Sequence, residues 1–205
     1  MTFLIELDWP AFLFAMFVIE LTPGPNMGWL VMLSAQYGSR VGLMAVLGIT
    51  LGLALQVVAA ATGVAALIAG VPMLYEGLRW AGVAFMLWLA WLAYIESGSA
   101  TPAVGLAEKG FQRGLIANLF NPKALVFYVV VVGQFTTPSA GALWLQILIL
   151  GCFHLIIAAM VHIAIVRFGA RAGDKIERWR TSFAARLTFS LCLVAIAGWI
   201  AFSTG

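Results

Sequence analysis

The chain has 205 residues, 63% of them hydrophobic and only 9% charged, with a mean hydropathy of +1.05, whereas soluble domains are about half apolar and about 25% charged. That excludes a water-soluble globule, and at about 20 residues per bilayer-spanning helix it leaves room for roughly six or seven spans and no second, soluble domain. The net charge of +3 does not indicate nucleic acid, because Lys and Arg gather in short loops beside apolar runs, where they report topology.

Glu6 and Asp8 open the chain without Lys or Arg, so the basic region of a cleavable secretory signal is missing and the first apolar run is expected to be retained. Six apolar stretches follow: Trp9 to Gln36, Val41 to Ala69, Trp80 to Ile95, Gly114 to Phe135, Ala142 to Val166 and Phe183 to Phe202. The first and fourth contain prolines, and the third is short unless Pro72 to Arg79 adds to it. Ala100 to Gly110, with Ser97, Gly98, Ser99 and Pro102 before or inside it, reads as a flexible linker between halves of three spans. Gly169 to Ala185 interleaves Arg171, Lys175 and Arg178 with Ile176, Trp179 and Phe183, and is expected to lie as an amphipathic helix on lipid. Cys152 and Cys192 are far apart within apolar runs and read as reduced, buried thiols.

Six spans place the connections bearing Arg40, Lys109, Arg113, Arg167, Arg171, Lys175, Arg178, Arg180 and Arg186 on one face, against Arg79 alone on the other. Basic loops stay in the cytoplasm, so both termini are expected to face outward. Trp9, Trp80, Trp144 and Trp199 then share the outer headgroup layer, where indoles are favoured. The expected fold is an all-α polytopic membrane protein over residues 1–205, with six transmembrane helices. Three spans per half make any repeat an inverted one, with repeat one at 9–95, a linker at 96–110 and repeat two at 111–203.

The first helix of each half is discontinuous in the same way. One contains Leu21-Thr22-Pro23-Gly24-Pro25-Asn26 and the other Asn118-Leu119-Phe120-Asn121-Pro122-Lys123. Proline has no amide hydrogen to give the carbonyl four residues back, so Pro23 and Pro25 disturb the carbonyls of Ile19 and Leu21, and Pro122 disturbs that of Asn118. Thr22 and Asn121 are expected as N-caps and Pro23 and Pro122 as first helical residues of new half-helices. Each half-helix, Pro23 to Gln36 and Pro122 to Phe135, is 14 residues, or about 21 Å, too short for a hydrocarbon layer of about 30 Å. They therefore begin at depth, and their polar caps are expected to turn inward. Helix starts suit a carboxylate and unwound carbonyls an ammonium group, so a zwitterion fits. The competing reading of each motif is a structural kink.

Glu20 precedes the first break and Lys123 follows the second. Charges at that depth need partners, and the two are expected to face each other, either as a proton-coupling pair in which Glu20 takes up a proton when the site opens outward or as a static salt bridge. His154 and His162, eight residues apart on the fifth span, point about 80° apart on an ideal helix and read as interhelical hydrogen bonders or as a proton relay, not as ligands of one metal ion. Thr50 and Gln56 read as interhelical hydrogen bonders, and the alternative for these two and for His154 is a place in the cavity wall. Glycines spaced by four recur at Gly38–Gly42, Gly48–Gly52, Gly110–Gly114 and Gly169–Gly173. They allow close helix contact, within one chain or between the copies of a homodimer.

These residues, with Gly38-x-Arg40-x-Gly42, Gly48-x-x-x-Gly52 and Phe111-x-x-Gly114, resemble the LysE/RhtB family of small bacterial inner-membrane amino-acid exporters, over nearly the whole chain and in the same order. The resemblance implies secondary export of amino acids or close derivatives without enzymatic chemistry or cofactor, driven by the proton gradient. The Thr22-to-Asn26 and Asn121-to-Lys123 segments match the family's signature stretches, so the implied substrate-binding residues are Thr22, Pro23, Gly24, Pro25, Asn26, Asn118, Asn121, Pro122 and Lys123. Family members that export lysine or arginine tend to carry acids where this chain has Thr50-Leu51-Gly52 and Phe127, so the likeness is to the homoserine, threonine and leucine branch and the implied substrate is a neutral amino acid. The remaining alternatives are a non-transporting scaffold, in which the prolines and the Glu20–Lys123 pair only fix packing, and a small channel.

Overall fold

The computed structural model describes residues 7–22, 24–96, 105–175 and 182–203, and every regular element among them is helical. Helix α1, Trp9–Leu21, is started by Asp8, whose carboxylate accepts the Ala11 amide at 3.1 Å, an N-cap that satisfies one orphan donor. Helix α2, Pro25–Ala61, contains Gly38 with φ 81° and ψ 176°, a left-handed backbone that glycine adopts without steric cost. A Cβ built on Gly42 would strike the Ser34 hydroxyl. Residues eight apart on a straight helix are about 12 Å apart, so Gly38 folds α2 into two arms, 25–37 and 39–61. Gly63, φ 82°, starts the short α3, Val64–Gly70, and α4 is Pro72–Glu96.

The second half begins with α5, Leu106–Leu119, and α6, Pro122–Val126, which continues as a π-helix, Phe127–Val132. The two pieces meet at 54°. A 3-10 turn, Pro138–Ala140, leads to α7, Leu143–Lys175, and the chain closes with α8, Phe183–Ser203. Pro25–Ala61, Pro72–Ile95 and Leu143–Gly173 are long and apolar enough to cross a membrane, the bent pair Leu106–Leu119 and Pro122–Val132 passes together, and Trp9–Leu21 and Leu187–Phe202 are shorter apolar helices.

Glycine sets the helix pairings. Gly110 lies on Val41, Gly114 on Ala45 and Gly52 on Asn118, so the second arm of α2 runs parallel to α5. Gly169 lies on Val31 and Gly173 on Ala35, so the first arm runs parallel to α7, while Gly42 on Val166 and Val57 on Gly151 make the second arm antiparallel to it. Of the spaced glycines of the sequence, all but Gly38, which has nothing within 4 Å of a Cβ built on it, are thus packed inside the chain. The same contacts gather Arg40, Lys109 and Arg171 at one end, whereas Arg79 pairs with Glu76 at 2.5 Å near the start of α4.

Three expectations change. The lipid-lying helix from Gly169 is, as far as Lys175, the end of α7, because Gly169 and Gly173 bury against α2 instead of meeting lipid. The linker ends early: α4 runs on to Glu96 and α5 starts at Leu106, with Gly110 packed on Val41. Cys152 and Cys192 are free but exposed on the outside of the bundle. Pro23, the linker residues 97–104 and the amphipathic residues 176–181 lie outside the described residues.

A Cβ at Gly114 would collide with the Ala45 backbone, which cannot yield as a side chain can, whereas Gly198 has nothing within 4 Å. Gly114→Val should therefore lower stability by about 1–3 kcal/mol, and Gly198→Ala should raise it by about 0.5–1 kcal/mol. Thermal unfolding of the detergent-solubilised protein measures both.

Candidate functional site

At the first break the residues before the two prolines decide the geometry. A residue preceding proline is pushed out of the helical region, and Thr22, φ −69° and ψ 120°, and Gly24, φ −150° and ψ 171°, are both extended. Thr22 is therefore not the N-cap expected of it but the C-cap of α1, with its hydroxyl donated back to the Val18 carbonyl at 2.6 Å. Gly24 caps α2, which begins at Pro25. At the second break Asn121 is the N-cap, its side-chain oxygen accepting the Lys123 amide at 3.1 Å, and Pro122 is the first helical residue.

The carbonyls that Pro23 and Pro122 cannot bond are met in the same manner. Thr22 donates its amide to the Ile19 carbonyl at 3.2 Å, and Asn121 donates its amide to the Asn118 carbonyl at 3.0 Å. Each carbonyl also receives a side chain from a distant helix: Lys123 Nζ reaches Ile19 at 3.3 Å and Thr22 at 3.0 Å, and Gln56 Nε2 reaches Asn118 at 3.0 Å. The lysine places a cation at the negative end of α1, where it is stabilised. Gly24 lies against it, a Cβ there falling 3.4 Å from Nζ.

Both breaks open on one cavity of about 40 Å³. Of the residues singled out in the sequence, its wall contains Glu20, Thr22, Gly24, Pro25, Asn26, Asn118, Asn121, Lys123, His154 and His162. Pro122, Thr50 and Gln56 are not in it, and Gln56 instead supports the break from behind. Asn26 Nδ2 donates to Asn118 Oδ1 at 2.9 Å, joining the two broken helices, while Asn26 Oδ1 and Asn118 Nδ2 have no partner among the described residues. A buried water needs roughly 10–15 Å³ by the same measure, so the cavity suits a few waters.

Glu20 and Lys123 line the cavity together, but the expected direct pair is not formed among the described residues. Glu20 turns to α7 instead: Oε1 meets His154 Nε2 at 2.9 Å and Oε2 lies 3.6 Å from His162 Nε2. Two imidazoles about 80° apart on a helix serve one carboxylate because each takes a different oxygen. His154 Nδ1 is 2.7 Å from the Tyr128 hydroxyl, and the Phe127 ring lies 4.4 Å from the imidazole, centre to centre. The protonation that satisfies all three groups has Tyr128 donating to Nδ1 and Nε2–H donating to Glu20. His162 Nδ1 is buried without a partner among the described residues. No cluster of three or more His, Cys, Asp or Glu among these residues is arranged to hold a metal ion.

Tyr128 is the residue that sequence reasoning missed. It stands in the π-helix, a form that recurs at functional sites, and the one signal available was a lone hydroxyl in a run of Phe and Val from Phe127 to Val132.

Comparison with known proteins agrees with the motifs. The family described as LysE type translocator matches residues 17–203. A leucine efflux protein of Enterobacter sp. (strain 638) is 34% identical over 161 residues, 75% of each chain. An uncharacterised membrane protein of Pseudomonas aeruginosa is 32% identical, over 80% of this chain and 79% of its own. A homoserine/homoserine lactone efflux protein of Salmonella typhimurium is 29% identical, over 75% of this chain and 76% of its own. No solved structure matches the chain.

Gln56→Leu leaves the Asn118 carbonyl without its side-chain donor and should destabilise the protein by about 1–3 kcal/mol. Thr50→Val, outside the cavity wall, should stay within about 0.5 kcal/mol. Unfolding midpoints of the two variants in one detergent test the assignment.

Proposed function

Because the chain belongs to the LysE family of membrane translocators, which are transporters and not enzymes, we propose that it exports amino acids across the bacterial inner membrane by secondary, proton-coupled transport. The observation that carries this reading is the single cavity on which both broken helices open, with an ammonium group and a carboxylate in its wall. The parallel and antiparallel helix pairings support six spans in a 3+3 inverted arrangement. The basic residues gathered at the Gly38 end support a cytoplasmic face there and both termini in the periplasm.

A zwitterion is complementary to this wall. Its carboxylate goes to Lys123 and to the first-turn amides of α2, which have no intrahelical acceptor and no capping side chain at Gly24. Its ammonium goes to Glu20. Thr22, Pro23, Pro25, Asn121 and Pro122 shape the two breaks, and Asn26 and Asn118 offer their spare amide oxygen and nitrogen to the solute.

Coupling follows from competition at one carboxylate. Glu20 holds either the substrate ammonium or a proton, so a proton arriving from outside displaces the amino acid outward. On return to the inner face the proton leaves and the next ammonium binds. His154 and His162, one on each oxygen of Glu20, pass the proton to and from it. One proton exchanged for one zwitterion moves one positive charge inward, so a membrane potential, negative inside, drives export as well as the pH gradient, with about 2.3 kcal/mol per 100 mV.

Proteoliposomes loaded with radiolabelled amino acid give the test. Efflux should accelerate with an imposed pH gradient and with an imposed potential, and Glu20→Gln should abolish both responses while amino-acid exchange persists at a reduced rate. Coupled efflux unchanged in Glu20→Gln removes the carboxylate from the mechanism. Lys123→Met should raise the half-saturating substrate concentration about tenfold or more, as expected from losing a charge-assisted hydrogen bond of about 1.5–3 kcal/mol.

A further inference from the structure

The polar cavity is too small for the solute its charges suit. At about 40 Å³ it accommodates charged head groups and little else, so the rest of a bound amino acid must extend past one of its walls. One wall leads to a much larger space. Gly24, Pro25 and Met27 line the polar cavity and also line an apolar groove of about 410 Å³ on the bundle surface between the first arm of α2 and α8, bordered on the other side by Ala195, Ile196 and Trp199. Gly24 adds no side chain where cavity and groove adjoin, and at Gly28 the first arm of α2 comes close to α8, since a Cβ there would lie 2.7 Å from Ile196 Cδ1.

We infer that this groove is the side-chain subsite of the transporter and that Met27 is its gate, which makes the substrate class neutral amino acids with extended aliphatic side chains. The inference rests on the export reading above and deepens it. A carboxylate at Lys123 and an ammonium at Glu20 leave the substrate's side chain to pass Gly24 and Met27 into a wall of Met, Val, Ile and Trp side chains. Methionine suits the boundary, being unbranched and able to swing without strain. Apolar surface entering such a groove is stabilised by about 25 cal/mol per Å², while a hydroxyl there finds no hydrogen-bond partner and is penalised. A second apolar hollow of about 320 Å³, lined by Leu21, Val161, Ala164, Ile165 and Phe168, shares with the cavity Met27 alone. It is not lined by Gly24 and serves as an internal control.

The full chain in proteoliposomes, assayed by counterflow of radiolabelled leucine, alanine and phenylalanine, decides the matter. Ala195 and Ala164 are both exposed on the bundle surface, so phenylalanine at either site fills a hollow without entering the core. Ala195→Phe should lower the leucine-to-alanine rate ratio about tenfold, the order of a lost methylene contact or two in an apolar pocket. Ala164→Phe should leave that ratio as in the unmodified protein, and Met27→Ala should raise phenylalanine exchange relative to leucine. A leucine-to-alanine ratio untouched by Ala195→Phe overturns the inference alone, since the groove then holds only lipid chains. Absence of counterflow for every amino acid in the unmodified chain overturns the export reading and this inference with it.

Discussion

The structure is organised around the backbone carbonyls at two proline breaks, which lose their regular helical donors and keep as local partner a single amide beyond the helix end, Thr22 for Ile19 and Asn121 for Asn118. In lipid no water relieves a carbonyl short of donors, which costs up to several kcal/mol, and each proline break also takes a donor from elsewhere in the chain. Ile19 and Thr22 draw Lys123 from the second half, and Asn118 draws Gln56 from the first. The breaks are therefore also what ties the halves together. A cation held against the end of α1 and an amide buried behind α5 are consequences of satisfying the ladder, and both leave the cavity bounded by polar groups.

Close packing of helices makes that arrangement specific. The second arm of α2 can lie on α5 and on α7 at once because Gly48, Gly52, Gly110 and Gly114 present bare backbone at the contact with α5, and Gly42 and Gly151 at the contact with α7. Without a hydrophobic drive between helices in lipid, such small-residue contacts supply much of the association energy. They also fix the axial register, which places Gln56 level with Asn118 and α7 level with Glu20. Shifting α7 by one turn, about 5.4 Å, would take both histidines away from the carboxylate.

The electrostatic result differs from simple pairing. Glu20 and Lys123 share a cavity, yet each is held by groups other than the opposite charge, the carboxylate by two imidazoles and the ammonium by two carbonyls. A salt bridge would lock the two ions together. Held separately, they leave the cavity wall with one cationic and one anionic point instead of a single neutralised pair.

Membrane character, the positions of the apolar stretches and the two broken helices were legible in the chain alone, because hydropathy, basic-loop bias and the chemistry of proline act locally. So was the need of the Ile19 and Asn118 carbonyls for new partners, since a proline four residues on removes the donor whatever the fold. Which donor answers was decided by tertiary structure: Lys123 and Gln56 are 104 and 62 residues from the groups they bond, and no local rule relates them. The same holds for Tyr128, whose hydroxyl meets His154 only because the π-helix turns it toward α7, and for the placement of Thr22 as an ending and Gly24 as a beginning, where two prolines in alternation competed. Local chemistry set which groups would be left unsatisfied, and the packing of distant helices chose what satisfies them, because a hydrogen bond is specified by distance in space and sequence constrains that only across a few residues.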